Sequence, residues 1–503
     1  MQFAPSFLSL PVTSISMLEQ QGIEFVGGAY CGTSRFHEWL VNQPECSGKP
    51  IFYPDLEELE WTQQPLERSE LERIRATYGD EVIHRIIIGE RHVGFGYVSG
   101  AKITKTPLTM AIDRGGNEAV WQYVVSLVCR IEQILDQTKP DVIFQYAVAG
   151  AVGLAIQFVA QERRIPTVCF VHTRIGHELA IAPAQGSGDD GPVIRQMTAN
   201  ANSESISRAR AYIDEFREKP RHPGYTSFTA QRLKRQRSAK GFATGIAKMG
   251  SGLLSKSNDT PHSSRLFNGL NDLSSPLKNR SQERLMRKLS KPFEDFEHRP
   301  YAFYPMHVDP EASTMVLAPE HTDQAHVIQR IAQSLPVGMP LLVKEHIPMV
   351  GKRPRGFYER ICRMPGVALI SAGSEPYQLI KNASIVISIT GTACLEATIL
   401  QRPALIMGNA YFQHMESGIT RLRDHDTMHD AIRSALESAP ASDDYLERFI
   451  GGMLAHSACI PSDTLWSKRA QGERDSMSSA AVLFANLLAK TCQRHAGEQP
   501  NST

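Results

Sequence analysis

The stretch "ISITGTACLEATILQRPALIMG", residues 387–408, decides the fold class. It closes an apolar strand, turns at Thr390-Gly391-Thr392, enters the helix-like "ACLEATILQR" and emerges in a second apolar strand, "PALIMG". Strand, tight turn, helix and strand are the repeating unit of a parallel α/β sheet. Ligands of such sheets gather beyond the carboxyl ends of the strands, where Thr390, Gly391, Thr392 and Glu396 fall. Alone, this pattern is most often a helix cap with an acid complementing the dipole.

Upstream the alternation continues. "YAFY", "PLLVKEH", "GVALIS" and "SIVISIT" read as strands, and "HVIQRIAQSLP", "GFYERICRM" and "EPYQLIKNA" as the helices between them. With "PALIMG" that makes five strands, enough for a doubly wound domain over 299–425. Residues 426–503 read as a helical extension with a polar tail.

The first 218 residues alternate similarly. "SISMLEQQG" reads as a helix and "IEFVGGAY" as a strand; "RSELERIRATYGDEVIHRIII" reads as a helix followed by a strand-like run. "GNEAVWQYVVSLVCRIEQILDQT" is a long helix, and "DVIFQYA" and "PTVCFVHT" are strands bracketing another. The apolar run 142–160 contains Gln145 and Gln157 and reads as strand, turn and helix rather than a membrane span. Between the two halves, 219–298 is a connector; from 219 to 300 there are 17 Lys/Arg against 6 Asp/Glu. A solvated linker is the plain meaning, and a patch for an anionic acceptor or the inner leaflet the sharper one.

Composition fits a two-domain globular chain: 503 residues, 42% hydrophobic, formal net charge +1. That balance, with few aromatics in the basic stretch, argues against nucleic acid. The eight cysteines show no CxxC pair and read as reduced core residues. The N-terminus lacks a basic n-region, so the expected location is cytoplasmic, with a peripheral place at the inner face of the cytoplasmic membrane.

Three polar clusters follow strands of the second domain and should share one rim: His307, Asp309, Glu311 and Ser313; Lys344, Glu345, His346, Lys352 and Arg353; and the opening stretch. Lys344 and Arg353 supply charge-assisted bonds for a phosphate, and His346 can donate or shuttle a proton. A helix starting near Thr392 offers backbone N–H groups, and Glu396 one turn on suits ribose hydroxyls. Neither a Walker motif nor a strand-borne GxGxxG occurs, so ATPase and dehydrogenase readings fall. A nucleotide site between two Rossmann-like domains is the pattern of a GT-B glycosyltransferase.

The residues "YAFYPMHVDPEAS…LLVKEHIPMVGKRP…ITGTACLEATILQRPALIMG" closely resemble bacterial capsule polysaccharide biosynthesis proteins, a family that includes capsular Kdo transferases. The likeness is strong over about 301–412. It implies a GT-B-like fold, two Rossmann-like doubly wound domains facing a cleft, and sugar transfer from a nucleotide sugar to a polysaccharide or lipid-linked glycan. Family analogy favours CMP-Kdo as donor and a capsule assembly or export complex at the inner membrane as partner. The family's "KEHP" matches Lys344, Glu345 and His346, with Ile347 replacing the proline; its "TGTxGxEA" matches Thr390, Gly391, Thr392, Glu396 and Ala397, with Cys394 replacing a glycine.

The transfer reading assigns nucleotide and phosphate contacts to Lys344, Arg353, Thr390, Gly391, Thr392 and Glu396, with His346 stabilising the leaving group. Glu311 is the first choice for the catalytic base and His307 the second. Glu90, His92, Arg174 and Glu178 stand for the acceptor side. No metal and no cofactor beyond the nucleotide-sugar co-substrate is expected. Two other readings compete: a non-hydrolysing nucleotide-sugar epimerase, and a catalytically silent glycan-binding or scaffold component.

Overall fold

The computed structural model of the chain describes residues 1–3, 9–32, 34–94, 106–176, 178–183, 190–220, 279–423, 426–460 and 474–498. The basic stretch from 221 to 278 lies outside them. Two lobes are built on separate sheets.

The second lobe carries six parallel strands: β7 (Ala302–Pro305), β8 (Leu341–Lys344), β9 (Val367–Ile370), β10 (Ile385–Ser388), β11 (Ala404–Ile406) and β12 (Ile419–Arg421). Their spatial order is β12-β11-β10-β7-β8-β9. Residues of β8 and β10 are buried throughout, as expected for strands covered by helices on both faces. Two of the intervening helices start where a side chain satisfies free backbone N–H groups. Asp323, for instance, accepts from Ala325 and His326 at the start of Gln324–Ser334. β12 is the strand missed in the sequence: three half-exposed or exposed residues give no apolar run.

The chain leaves β7 for β8 and β9 on one side, then returns to place β10, β11 and β12 on the other. The strand order therefore reverses between β7 and β10. That is the switch point outside whose carboxyl ends a doubly wound sheet opens a crevice.

The first lobe departs from the expected doubly wound sheet. β1 (Gln2–Phe3), β2 (Gly28–Tyr30) and β3 (Ile51–Phe52) form a parallel three-stranded sheet. A separate mixed sheet has the order β13-β6-β5-β4, from β4 (Ile143–Gln145), β5 (Thr167–His172), β6 (Glu178–Pro183) and β13 (Ser457–Cys459). β4 and β5 are parallel across the helix Gly150–Glu162, but β5 and β6 are antiparallel because residues 173–177 are too few for a crossover. The run "EVIHRIII" is also a helix, Asp80–Gly89, not a strand: Ile83, Ile86 and Ile87 recur at helical spacing on its buried side.

Among the described residues after 426, the elements are helices apart from β13, which extends the first lobe's sheet. The C-terminal helix Arg474–Glu498 packs on Ser9–Glu19, where Leu10, Leu18, Phe484 and Leu488 share one core. In the other direction, helices Asp190–Ala199 and Ser203–Glu218 precede the connector yet bury Ile194, Met197, Ile213 and Phe216 with the second lobe's Phe449, Ile450 and Met453. Gly452 permits that approach, since a Cβ there would stand 2.4 Å from the Met197 carbonyl oxygen. No helix among the described residues is long and apolar enough to cross a membrane.

Candidate functional site

The crevice between β7 and β10 is closed at its base by a contact between their carboxyl-end loops. His307, two residues beyond β7, accepts the Thr390 backbone N–H on its Nε2 at 3.2 Å. Ser388 Oγ, at the end of β10, lies 3.5 Å from the same nitrogen and accepts the Gly391 N–H at 3.1 Å. Gly391 is required for this closeness: a Cβ there would stand 2.5 Å from Ser388 Oγ and 3.3 Å from His307 Nε2.

Because Nε2 accepts, the neutral His307 ring carries its proton on Nδ1. That Nδ1 is buried and has no hydrogen-bond partner among the described residues. Burial, with His346 and Arg353 adding positive charge nearby, pushes the His307 pKa down to about 3. Its main chain is fixed as firmly. Gln324 receives the His307 N–H at 2.7 Å and donates to its carbonyl at 3.1 Å and to Asp309 at 3.0 Å.

A buried ion pair sets the next loop. Arg353 donates twice to Glu345, at 2.9 and 3.0 Å, and once to the His307 carbonyl at 2.6 Å. Its Nη1 lies 3.6 Å from Asp309 Oδ2 and makes no hydrogen bond among the described residues. Glu345 also receives Tyr358 Oη and the His346 N–H, at 2.9 and 2.7 Å. Burial opposes the charge on Arg353, but Glu345 and Asp309 outweigh it and raise its pKa. Burial raises the Asp309 pKa against the pull of Arg353.

Lys344 ends β8 beside this pair, and its carbonyl receives the Met306 N–H at 2.9 Å. It is 8% exposed, and burial lowers its pKa. Glu375 and Glu345 favour its charge without offsetting that burial, and no hydrogen bond from its ammonium is seen among the described residues. His346 has a pKa pushed down to about 4 by burial, and its Nδ1 is buried without a partner among the described residues. Lys344, His307 and His346 thus supply one cation and two neutral rings to a single crevice.

The sequence expectations are partly rearranged. The Thr390 and Gly391 N–H groups, expected to face a phosphate, are taken by His307 and Ser388, while Thr390 Oγ1 donates to the Ser313 carbonyl at 3.0 Å. Thr392 does not cap the helix Ala393–Ile399; its hydroxyl donates to Glu396 at 3.0 Å. Arg353 is enclosed in its pair rather than open to a phosphate, so it holds the loop. His307 is unsuited to take a proton: Nε2 already accepts, and Nδ1 is the protonated nitrogen. Cys394 is buried and contacts the Leu405 carbonyl, fixing the helix to β11. Glu311 remains exposed at the rim, joined to Ser313 Oγ at 3.0 Å.

On the first lobe, Glu178 is occupied by Arg208 and Ser457, each at 2.7 Å. Glu90 follows a helix rather than a strand and accepts the His92 N–H at 3.2 Å; His92 is buried. Arg174 is exposed, in a left-handed conformation at φ 62°. The two lobes also touch through single residues. Tyr411 Oη donates to the Thr173 carbonyl at 2.6 Å, and Val316 packs in the first lobe's core with Ile83, Ile86 and Ile87. Ser388 and Gln324 were missed in the sequence; Ser388 ends an apolar strand and Gln324 opens an amphipathic helix. An apolar cavity lined by Leu18, Phe25, Ile131, Leu135, Ile156 and Leu488 lies away from this crevice, and no cationic side chain lines it. Among the described residues, no group of three or more His, Cys, Asp or Glu is placed to hold a metal.

Residues 261–445 match the family described as "Capsule polysaccharide biosynthesis protein". The chain is a distant relative of that family. The matched stretch contains His307, Lys344, Glu345, His346, Arg353 and the 390–396 turn. No curated protein matches the chain. Among solved structures it is similar to "Thermosulfurimonas dismutans KpsC, beta Kdo 2,7 transferase", at 12% identity and a TM-score of 0.35, over 72% of this chain and 89% of that one. It is also similar to UDP-GlcNAc 2-epimerase from Methanocaldococcus jannaschii, at 13% identity and a TM-score of 0.25, over 89% and 98%. At those scores neither bears on the activity, and the fold rests on the strand order itself.

Proposed function

We propose that the chain binds a nucleotide-activated sugar in the β7–β10 crevice and transfers the sugar to a glycan acceptor, in a GT-B-like arrangement of its two lobes. The carrying observation is the convergence of Lys344, the Nδ1–H of His307 and His346 at the switch point of the parallel sheet. As the glycosidic bond to the nucleotide breaks, negative charge gathers on the departing phosphate. A buried ammonium and a fixed N–H donor stabilise that charge with little reorganisation. The Glu345–Arg353 pair holds both loops in place.

The acceptor hydroxyl loses its proton to a carboxylate facing the crevice. Glu311 at the second lobe's rim is the base in this reading, with Glu90 on the acceptor side. Glu178, held by Arg208 and Ser457, has no such role.

Thermal shift of the full chain with CMP, UDP, GDP and dTDP tests the reading. One nucleotide should raise Tm in the wild type and fail to do so in Lys344→Met, because a ligand of the native state stabilises it by mass action. If none of the four shifts Tm, the nucleotide reading is wrong and a scaffold role takes its place. If a nucleotide sugar is converted to its epimer with no acceptor present, the protein is an epimerase of the same site.

A further inference from the structure

The strongest anomaly outside the crevice is Gln145, the last residue of β4. It is fully buried, and neither its amide oxygen nor its amide nitrogen has a hydrogen-bond partner among the described residues. A buried polar atom left without a partner is costly, and native structures keep few of them. Two on one side chain, at the carboxyl end of a strand, call for a ligand or an ordered water.

What lies against this amide is the first turn of the helix Gly150–Glu162. That helix is 13 residues long, and its N-cap, Ala149, has no side chain to satisfy the free N–H groups. Positions 150 and 153, one turn apart on the same face, are both glycine. A Cβ at 153 would stand 3.3 Å from Gln145 Oε1, and one at 150 would stand 3.1 Å from Glu90 Oε2. A carboxylate and an unpartnered amide therefore border one bare helix terminus. Glu90 Oε1 already accepts from His92, which leaves Oε2 as the oxygen facing the turn.

The chemistry of this border selects its ligand. The helix terminus and the amide nitrogen donate; Glu90 and the amide oxygen accept. The carboxylate repels a phosphate, and the helix terminus disfavours a cation. Hydroxyl groups, which donate and accept at once, satisfy both sides. We propose that Gln145, Glu90 and the first turn of Gly150–Glu162 form a subsite for the hydroxyls of a neutral saccharide, reaching the buried amide through a bridging water. This subsite would be the acceptor side of the transfer proposed above, and it rests on that reading for its role but not for its binding.

The test is saturation-transfer NMR on the full chain with methyl gluco-, galacto- and mannopyranosides, without nucleotide, and separately with CMP and UDP. At least one glycoside should bind the wild type, and Gln145→Leu should weaken it about tenfold, the loss of one bonded group. Nucleotide binding should be unchanged. Gln145→Met serves if the leucine variant does not fold. No glycoside binding to the wild type, or equal binding in the variants, overturns the subsite. Glycoside binding that depends on Gln145 with no nucleotide binding at all would keep the subsite and remove the transfer reading.

Discussion

Thr390 donates its backbone N–H to His307 Nε2 at 3.2 Å, joining the loops after β10 and β7 across the point where the strand order reverses. This bond fixes the tautomer of His307 and directs its Nδ1–H away from Thr390. His307 is therefore a donor. His307→Ala should lower turnover by about 10²–10³, the cost of removing one oriented donor to developing charge. His307→Asn, which can restore an N–H at the Nδ1 position, should recover part of the loss. Full activity in His307→Ala would end this assignment.

Lys344 carries a trade between stability and binding. Its ammonium is nearly buried, and burial works against its charge. Lys344→Met keeps the stem and removes the desolvated charge, so the nucleotide-free protein should gain about 1 kcal/mol in urea unfolding. The same variant should lose the nucleotide-induced rise in Tm. A destabilised variant would mean that Lys344 has a structural partner.

The Glu345–Arg353 pair is completely buried, with side chains at 0% exposure. Removing one partner leaves the other charge without compensation, which costs about 3–5 kcal/mol. Arg353→Met should show that loss in denaturant titration. The double variant Arg353→Met with Glu345→Gln should recover a substantial part of it. Equal losses in the single and double variants would show that packing, not charge, is what the pair supplies.

Stability should fall in mild acid. The folded-state pKa values of His307 and His346 are about 3 and about 4, below the unfolded value near 6.5. Between those limits the unfolded chain binds more protons, so stability is complete above about pH 6.5 and declines as pH drops toward the folded values. Each ring contributes at most about 1.4 kcal/mol per pH unit over its window. His346→Asn should make the decline between pH 6 and 4 shallower, as followed by thermal unfolding across that range.

Much of the second lobe was legible in the sequence because its strands are apolar runs separated by amphipathic helices, which leaves β7 to β11 in plain view. β12 escaped because edge strands need no apolar run, and Ile419–Arg421 shows none. The helix Asp80–Gly89 was misread because a run of isoleucines suits a strand by propensity; packing of Ile83, Ile86 and Ile87 on one face overrode it. The three clusters at the crevice were visible as residues after strands. Their roles were not, since hydrogen bonding among Thr390, Gly391, Ser388 and His307 depends on a strand order that local sequence does not specify. Gln145 gave no signal, because an amide inside an apolar run reads as core until its partners are counted.

Glu311 and Glu178 provide the sharpest contrast for the acceptor base. Glu311 is exposed at the crevice rim and, among the described residues, its carboxylate accepts from Ser313 Oγ alone, whereas the Glu178 carboxylate is joined to Arg208 and Ser457 at 2.7 Å each. Glu311→Gln keeps the shape and removes the basic oxygen, so turnover should fall by about 10²–10⁴ with nucleotide binding intact. Glu178→Gln should leave turnover near the wild-type value and cost at most about 1 kcal/mol of stability, since Arg208 is half exposed and its pair is screened by solvent. Measuring kcat and the nucleotide-induced Tm shift for both variants decides between them. A large loss of kcat in Glu178→Gln with an active Glu311→Gln would move the base to the first lobe.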